Sequence, residues 1–148
     1  MQISIIHGPN LNLLGTREPQ IYGSLSLTDL GILLEKKYPH YSFLFLQSNH
    51  EGEIIDWIQQ TLVNQNPIII NPGGYAHTSV AIHDALKSTS VPKIEVHLSQ
   101  LYKRETFRHE TITAAACDAI ISGLHFFGYE LAVQAVEQLL SKRANSTI

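Results

Sequence analysis

Glu95 and His97 stand two residues apart in Lys93-Ile94-Glu95-Val96-His97, and side chains at i and i+2 of a strand point the same way. A carboxylate beside an imidazole favours the protonated ring and orients it, which equips a histidine as a proton donor. Arg17 and Tyr22 lie five residues apart in Arg17-Glu18-Pro19-Gln20-Ile21-Tyr22-Gly23. A free tyrosine ionises near ~10 and is a poor base at neutral pH, but a neighbouring guanidinium favours the phenolate, by about 1.4 kcal/mol for each tenfold gain in acidity. In a third segment, Asn71-Pro72-Gly73-Gly74 precedes His77-Thr78-Ser79. Glycines and a helix start at the end of an apolar run offer free N–H groups that suit a carboxylate or phosphate. Each pattern also has a plainer explanation: a strand-end histidine that only packs, two solvated loop residues, or a tight turn with an ordinary cap.

Elements that could gather these groups are visible around them. Five short apolar runs read as strands, Ile3 to His7, Phe43 to Gln47, Ile68 to Asn71, Lys93 to His97 and Ala119 to Ser122. They alternate with segments of helical period, the pattern of a parallel sheet covered on both faces. Ser26 caps a first helix with Leu27, Leu30, Leu33 and Leu34 on one stripe, ending near Pro39. A second buries Ile54, Ile55, Ile58 and Leu62, with Glu51, Glu53 and Asp56 early, and stops at Gln65-Asn66-Pro67. A third starts at Thr78-Ser79 and buries Ala81, Ile82, Ala85 and Leu86; the last buries Leu131, Ala132, Ala135, Val136 and Leu139. In a parallel sheet the strand ends share one edge, and ligands of open α/β sheets bind in the crevice outside those carboxyl ends. The polar residues after each run are thus expected at a single site. Gly8 to Ser24 is a long segment without periodicity, and such a loop is more often functional than inert.

A length of 148 residues fits one domain over 1–148, with a tail from Lys142 to Ile148 expected to fray. A net charge of -3 with 16% charged residues argues against nucleic-acid binding by phosphate neutralisation. No run approaches the ~20 apolar residues of a membrane span, and no basic n-region precedes the first apolar stretch, so the expected location is the cytoplasm. Cys117, the single cysteine, follows three alanines and reads as a structural thiol; a disulfide framework is excluded.

Cofactor signatures are missing from the chain. There is no G-x-G-x-x-G after the first strand and no G-x-x-x-x-G-K-[ST] anywhere, and a flavin loop is disfavoured by Pro9 and the leucines that follow it. The eight histidines form no H-E-x-x-H pair or familiar ligand set, so no metal is expected. Lys36, Lys37 and Lys142 lie near helix ends as solvated charges, and Lys93 has no partner in the sequence that would make it a Schiff-base nucleophile.

Taken in order, these segments resemble the type II 3-dehydroquinate dehydratases. The resemblance runs from about Ile3 to Leu140. It rests on Gly8-Pro9-Asn10-Leu11-Asn12-Leu13-Leu14-Gly15 with Arg17-Glu18-Pro19 and Tyr22-Gly23, on Gln47-Ser48-Asn49-His50-Glu51-Gly52, on Asn71-Pro72-Gly73-Gly74-Tyr75 with His77-Thr78-Ser79, and on Glu95-Val96-His97-Leu98-Ser99. It implies a flavodoxin-like three-layer α/β sandwich with a five-stranded parallel sheet. It also implies a hydro-lyase that dehydrates 3-dehydroquinate to 3-dehydroshikimate without cofactor, by anti elimination through an enolate, in the shikimate pathway or quinate breakdown. Tyr22, helped by Arg17, would be the base, and a water near Asn12 and Tyr22 would stabilise the enolate. His97, positioned by Glu95, would be the acid. Asn71, His77, Arg108 and the backbone of Leu98 and Ser99 would bind substrate, and Asp84 would reach a neighbouring subunit's site in a dodecamer of trimers. The competing expectation is a non-catalytic flavin- or metabolite-binding module on the same architecture.

The chain departs from the family pattern at His7, where Asn is common, at Gly74, where Ala is usual, at Gln100, where Asn is usual, and at Glu110-Thr111, where His-Ser is frequent. The extra methylene of Gln100 is expected to disturb a hydrogen bond near His97.

Overall fold

A computed structural model describes residues 1–146. Five strands, β1 (Gln2–His7), β2 (Ser42–Gln47), β3 (Ile68–Asn71), β4 (Lys93–His97) and β5 (Ala119–Ser122), pair in parallel in the order β2-β1-β3-β4-β5. That order is the flavodoxin-like one, and its direction of growth reverses between β1 and β3, the position where such sheets open a crevice. The expected strands match, two of them lengthened by one residue. Helices α1 (Pro19–Tyr22), α2 (Leu27–Lys37), α3 (Glu51–Asn64), α4 (Val80–Ser88) and α5 (Phe127–Asn145) make the connections, together with short 3-10 turns.

Alternation along the strands divides the interior into two cores. Ile3, Ile5, Ile69, Ile94 and Val96 pack with Leu30 and Leu34 of α2 and with Tyr129, Ala132, Val133 and Val136 of α5. Ile6, Ile68 and Ile70 face the other way, onto Ile54 and Ile58 of α3 and Ile82, Ala85 and Leu86 of α4. Both faces are therefore covered, and strands buried twice over need the near-continuous apolar runs seen in the sequence.

The helix starts follow from local chemistry. Ser26 and Asp29 form a reciprocal capping box on α2, and the Ser79 hydroxyl accepts the Ile82 N–H at 2.9 Å to start α4. Three expected core positions face elsewhere. Leu62 is 48% exposed, and Thr61 occupies the buried stripe instead, its hydroxyl bonded to the Ile58 carbonyl and to Thr89. Ala81 is exposed because the buried stripe of α4 runs through Ile82, Ala85 and Leu86, and Leu131 is only half-buried beside Ala132. The segment expected to fray is helical from Lys142 to Asn145; residues 147 and 148 lie outside the described residues. Cys117 is partly buried against the α3/α4 core, with its thiol pushed up by burial and by Glu95.

Two glycines lock the loops after β1 and β3 together. A side chain on Gly8 would put its Cβ 2.1 Å from the Pro72 carbonyl oxygen, and the Gly8 N–H donates to the Asn71 carbonyl at 2.8 Å. Gly73 has a left-handed φ of 62° and would bring a Cβ to 2.9 Å from the Pro9 carbonyl oxygen. The glycine-containing turns are therefore backbone against backbone, and this contact sets the floor of the crevice.

Candidate active site

Above the carboxyl ends of β1, β3 and β4 lies a cavity of about 110 Å³ whose lining includes Arg17, Tyr22, Asn71, His77, His97, Leu98, Ser99 and Arg108. Nearly all the residues singled out by chemistry are thereby in one place. Pro9, Leu11, Leu14 and Leu101 supply apolar walls around them, and Arg104 adds a third guanidinium.

Along the β4 side, the Glu95 carboxylate, completely buried, accepts from His97 Nε2 at 2.7 Å and from the Thr113 hydroxyl at 2.6 Å. Since a carboxylate only accepts, Nε2 keeps its proton and Nδ1 is the nitrogen left to exchange one. Burying the carboxylate at the end of β4, satisfied on both oxygens, fixes the ring more firmly than an exposed pair could. The His77 ring lies 6.2 Å from that of His97, centroid to centroid, and its Nδ1 donates to the Glu110 carbonyl at 2.7 Å. Burial lowers the His77 pKa against the pull of that carbonyl, and repulsion from His97 and Arg108 lowers it further. A neutral His77 thus presents a bare Nε2 acceptor.

The opposite wall is the loop after β1. Glu18 and Gly23 bracket α1 with left-handed backbone, φ 42° and 86°, so the chain turns sharply on either side of Tyr22. The guanidinium that meets the phenol is not Arg17, which pairs with Glu18 at 3.3 Å, but Arg104. Arg104 Nη1 donates to Tyr22 Oη at 3.2 Å and to Ser99 Oγ at 3.0 Å, and the guanidinium carbon lies 5.3 Å from the centre of the Tyr22 ring. Arg104 thus bridges the loop carrying Tyr22 to the end of β4. Sequence reasoning missed it because it sits in the aperiodic Leu101-Tyr102-Lys103-Arg104, where a charge reads as solvated; only the 3-10 turns over residues 101–108 bring it back across the cleft. Arg108 pairs with Glu105 at 2.9 Å while lining the cavity.

Asn71 is 4% exposed, and its Oδ1 accepts the Gly73 N–H at 3.1 Å. The loop of Leu98 and Ser99 is pinned by β5 and the turn after it: His125 N–H donates to the Leu98 carbonyl and the Ser122 hydroxyl to the Ser99 carbonyl, both at 3.0 Å. Three expected site residues are not in the cavity wall: Glu95, completely buried behind His97, Asn12 and Asp84. Asn12 is exposed, with Gln47 donating to its Oδ1 at 3.5 Å, and Asp84 projects outward on α4, paired with His83 at 2.9 Å.

The departures from the family pattern fall into place individually. Gly74 lines the cavity with open space where a Cβ would stand. Glu110 serves His77 through its backbone carbonyl, which any residue supplies. Gln100 is engaged locally: its side chain accepts the Tyr102 N–H at 3.4 Å and its Cβ packs on Gly123. The expected disturbance near His97 therefore has no direct contact behind it. His7, by contrast, is fully buried beneath the site.

A parallel sheet of this order, with a histidine–carboxylate pair on one strand end and a phenol under a guanidinium on the facing loop, defines an α/β protein whose cavity groups suit acid–base chemistry. Residues 1–137 match the family described as Dehydroquinase class II, and the chain belongs to it. It is 50% identical over 139 residues to a 3-dehydroquinate dehydratase of Phenylobacterium zucineum, covering 93% of this chain and 96% of that one. Identity to a 3-dehydroquinate dehydratase of Fusobacterium nucleatum is 51% over 139 residues, covering 90% and 94%. The crystal structure of a type II dehydroquinase from Butyrivibrio crossotus superposes with a TM-score of 0.89 at 44% identity, covering 93% of this chain and 97% of that one.

Proposed function

We propose that this protein dehydrates 3-dehydroquinate to 3-dehydroshikimate, using its own side chains and no cofactor. The observation that carries the reading is the opposition, across one cavity, of Tyr22 under Arg104 and His97 on Glu95. Membership of the class II dehydroquinases and the names of the relatives support it and favour it over a flavin- or metabolite-binding module.

Tyr22, as phenolate, takes a proton from the carbon beside the substrate ketone, and the electron pair moves onto the ketone oxygen as an enolate. Guanidinium donors strengthen as charge develops on the phenol oxygen, so Arg104, and Arg17 once released from Glu18, hold the base in its reactive form. A water near Asn12 and Tyr22 stabilises the enolate oxygen. The enolate then collapses, the carbon–oxygen bond to the hydroxyl breaks, and His97 Nδ1 delivers the proton with which that hydroxyl leaves as water. Asn71, the bare Nε2 of His77, Arg108 and the backbone of Leu98 and Ser99 bind the substrate's hydroxyl and carboxylate groups. Asp84 completes a neighbouring subunit's site in a dodecamer of trimers, located in the cytoplasm.

The test is ultraviolet absorbance with purified protein and 3-dehydroquinate, with chelator and no added cofactor. The conjugated enone of the product should appear steadily, and a folded sample that produces none refutes the reading. Light scattering gives the mass of the assembly, and a monomer with full activity would remove Asp84 from the site.

A further inference from the structure

Directly beneath the cavity, three polar side chains from three elements converge in the α2/α5 core. His7 ends β1 and is the register partner of Asn71 on β3, so the two project to the same face of the sheet. Tyr129, in the first turn of α5, is completely buried and lays its ring 5.5 Å from that of His7. His7 Nε2 and Tyr129 Oη are both buried without a hydrogen-bond partner within normal limits. Buried polar atoms in this condition are rare and costly, and two on touching rings call for a joint explanation.

Their chemical roles are complementary. The other nitrogen of His7 is engaged with the Leu46 backbone, so it carries the proton and Nε2 is a bare acceptor. The Tyr129 hydroxyl, kept neutral by burial, is a donor in need of an acceptor. Asn71 has its Oδ1 committed to the Gly73 N–H, which turns its amide nitrogen elsewhere, and the amide lies near enough to Tyr129 to oppose the effect of burial on the phenol.

We propose that His7 and Tyr129 are positioning residues for the dehydration reaction, forming a one-way relay behind the substrate. In it the Asn71 amide donates to Tyr129 Oη and the Tyr129 hydroxyl donates to His7 Nε2, which fixes the face that Asn71 turns to a bound hydroxyl. The inference rests on the proposed function, because it takes Asn71 as a substrate-binding group.

Tyr129→Phe removes the hydroxyl while keeping the ring, and His7→Leu removes the acceptor. Each should raise KM about five- to tenfold, the size of one lost hydrogen bond, with kcat within about threefold. The double variant should be no worse than the worse single one, and in an Asn71→Ala background Tyr129→Phe should add nothing further. His7→Gln, which retains an acceptor, should recover most of the loss. A purely structural role would lower the melting temperature yet leave the KM penalty unchanged by Asn71→Ala. An unaltered KM in Tyr129→Phe, or a penalty that persists without Asn71, overturns the relay. Wild-type protein without dehydratase activity overturns the proposed function instead. In that case the relay is tested by the nitrogen spectrum of His7, whose Nε2 resonance should move when Tyr129 becomes Phe and refutes the relay if it does not.

Discussion

His7 should make folding stability depend on pH in a way that an asparagine at the same position would not. Burial lowers its pKa from 6.5 to about 4, with the Leu46 backbone acting in the opposite direction. Below pH 6.5 the unfolded chain takes up a proton that the folded chain refuses, so acid favours unfolding. The contribution is fully present above the unfolded value and is lost as pH falls toward about 4. Integrated over that window, the linkage removes about 2 kcal/mol by pH 5 and about 3 kcal/mol by pH 4. Other titrating groups act in the same range, but they cancel in a comparison of wild type with His7→Asn. Urea denaturation followed by the fluorescence of Trp57, at pH 7.5 and pH 5 and at one protein concentration, reads the difference directly. The stability gap between wild type and His7→Asn should shift by about 2 kcal/mol against wild type on going to pH 5, with equal urea slopes. Parallel pH dependences would mean that His7 is protonated or solvated in the folded state, and the relay with Tyr129 would lose its acceptor as well.

Further expectations concern the cavity and its supports. Tyr22→Phe should cut turnover at least about a hundredfold while the protein stays folded, as should Arg104→Ala, and near-normal rates in single-turnover assays would remove the proposed base or its partner. Thr113→Val leaves a buried Glu95 oxygen without a donor, so thermal denaturation should report a loss of about 2 kcal/mol, and kcat should fall with little change in KM. Gly8→Ala would drive a methyl into the Pro72 carbonyl and should cost about 3 kcal/mol or prevent folding, whereas Gly74→Ala meets open space and should leave stability and kinetics nearly unchanged.

The strands were legible in the sequence because both faces of each central strand are buried, which demands continuous apolar runs and leaves the polar residue after each run to mark the edge. The Glu95–His97 pair was legible for a related reason: period two in a strand leaves little freedom in where the side chains go. Helix faces were less secure, since a shift of one residue rotates a side chain by about 100°, and Thr61 and Leu62 exchanged roles on that account. Arg104 was not legible because its placement depends on consecutive 3-10 turns that no periodicity announces. The identity of the guanidinium on Tyr22 is thus a tertiary fact, settled by how residues 101–108 fold back over the cleft. The place of the Gln100 side chain was not legible for a similar reason: its amide is used locally, by the Tyr102 N–H.

The two walls of the cavity differ in how they are held, and the difference fits the chemistry. His97 is set on a central strand, its Glu95 buried and saturated by Thr113, so in the proposed reaction the acid is positioned before any substrate arrives. Tyr22 belongs to a four-residue helix with no fully buried side chain, between two left-handed residues; its ring packs against the edge of the α2/α5 core and its hydroxyl is held by Arg104. In the proposed reaction, the base on this segment is held toward the substrate by the Arg104 guanidinium. Removing Arg104 should therefore release the phenol from its place over the cleft. Removing Glu95 should act on the two side chains it holds, His97 and Thr113, and leave Tyr22 in place. The first variant should show changes in KM and kcat together, and the second a loss concentrated in kcat.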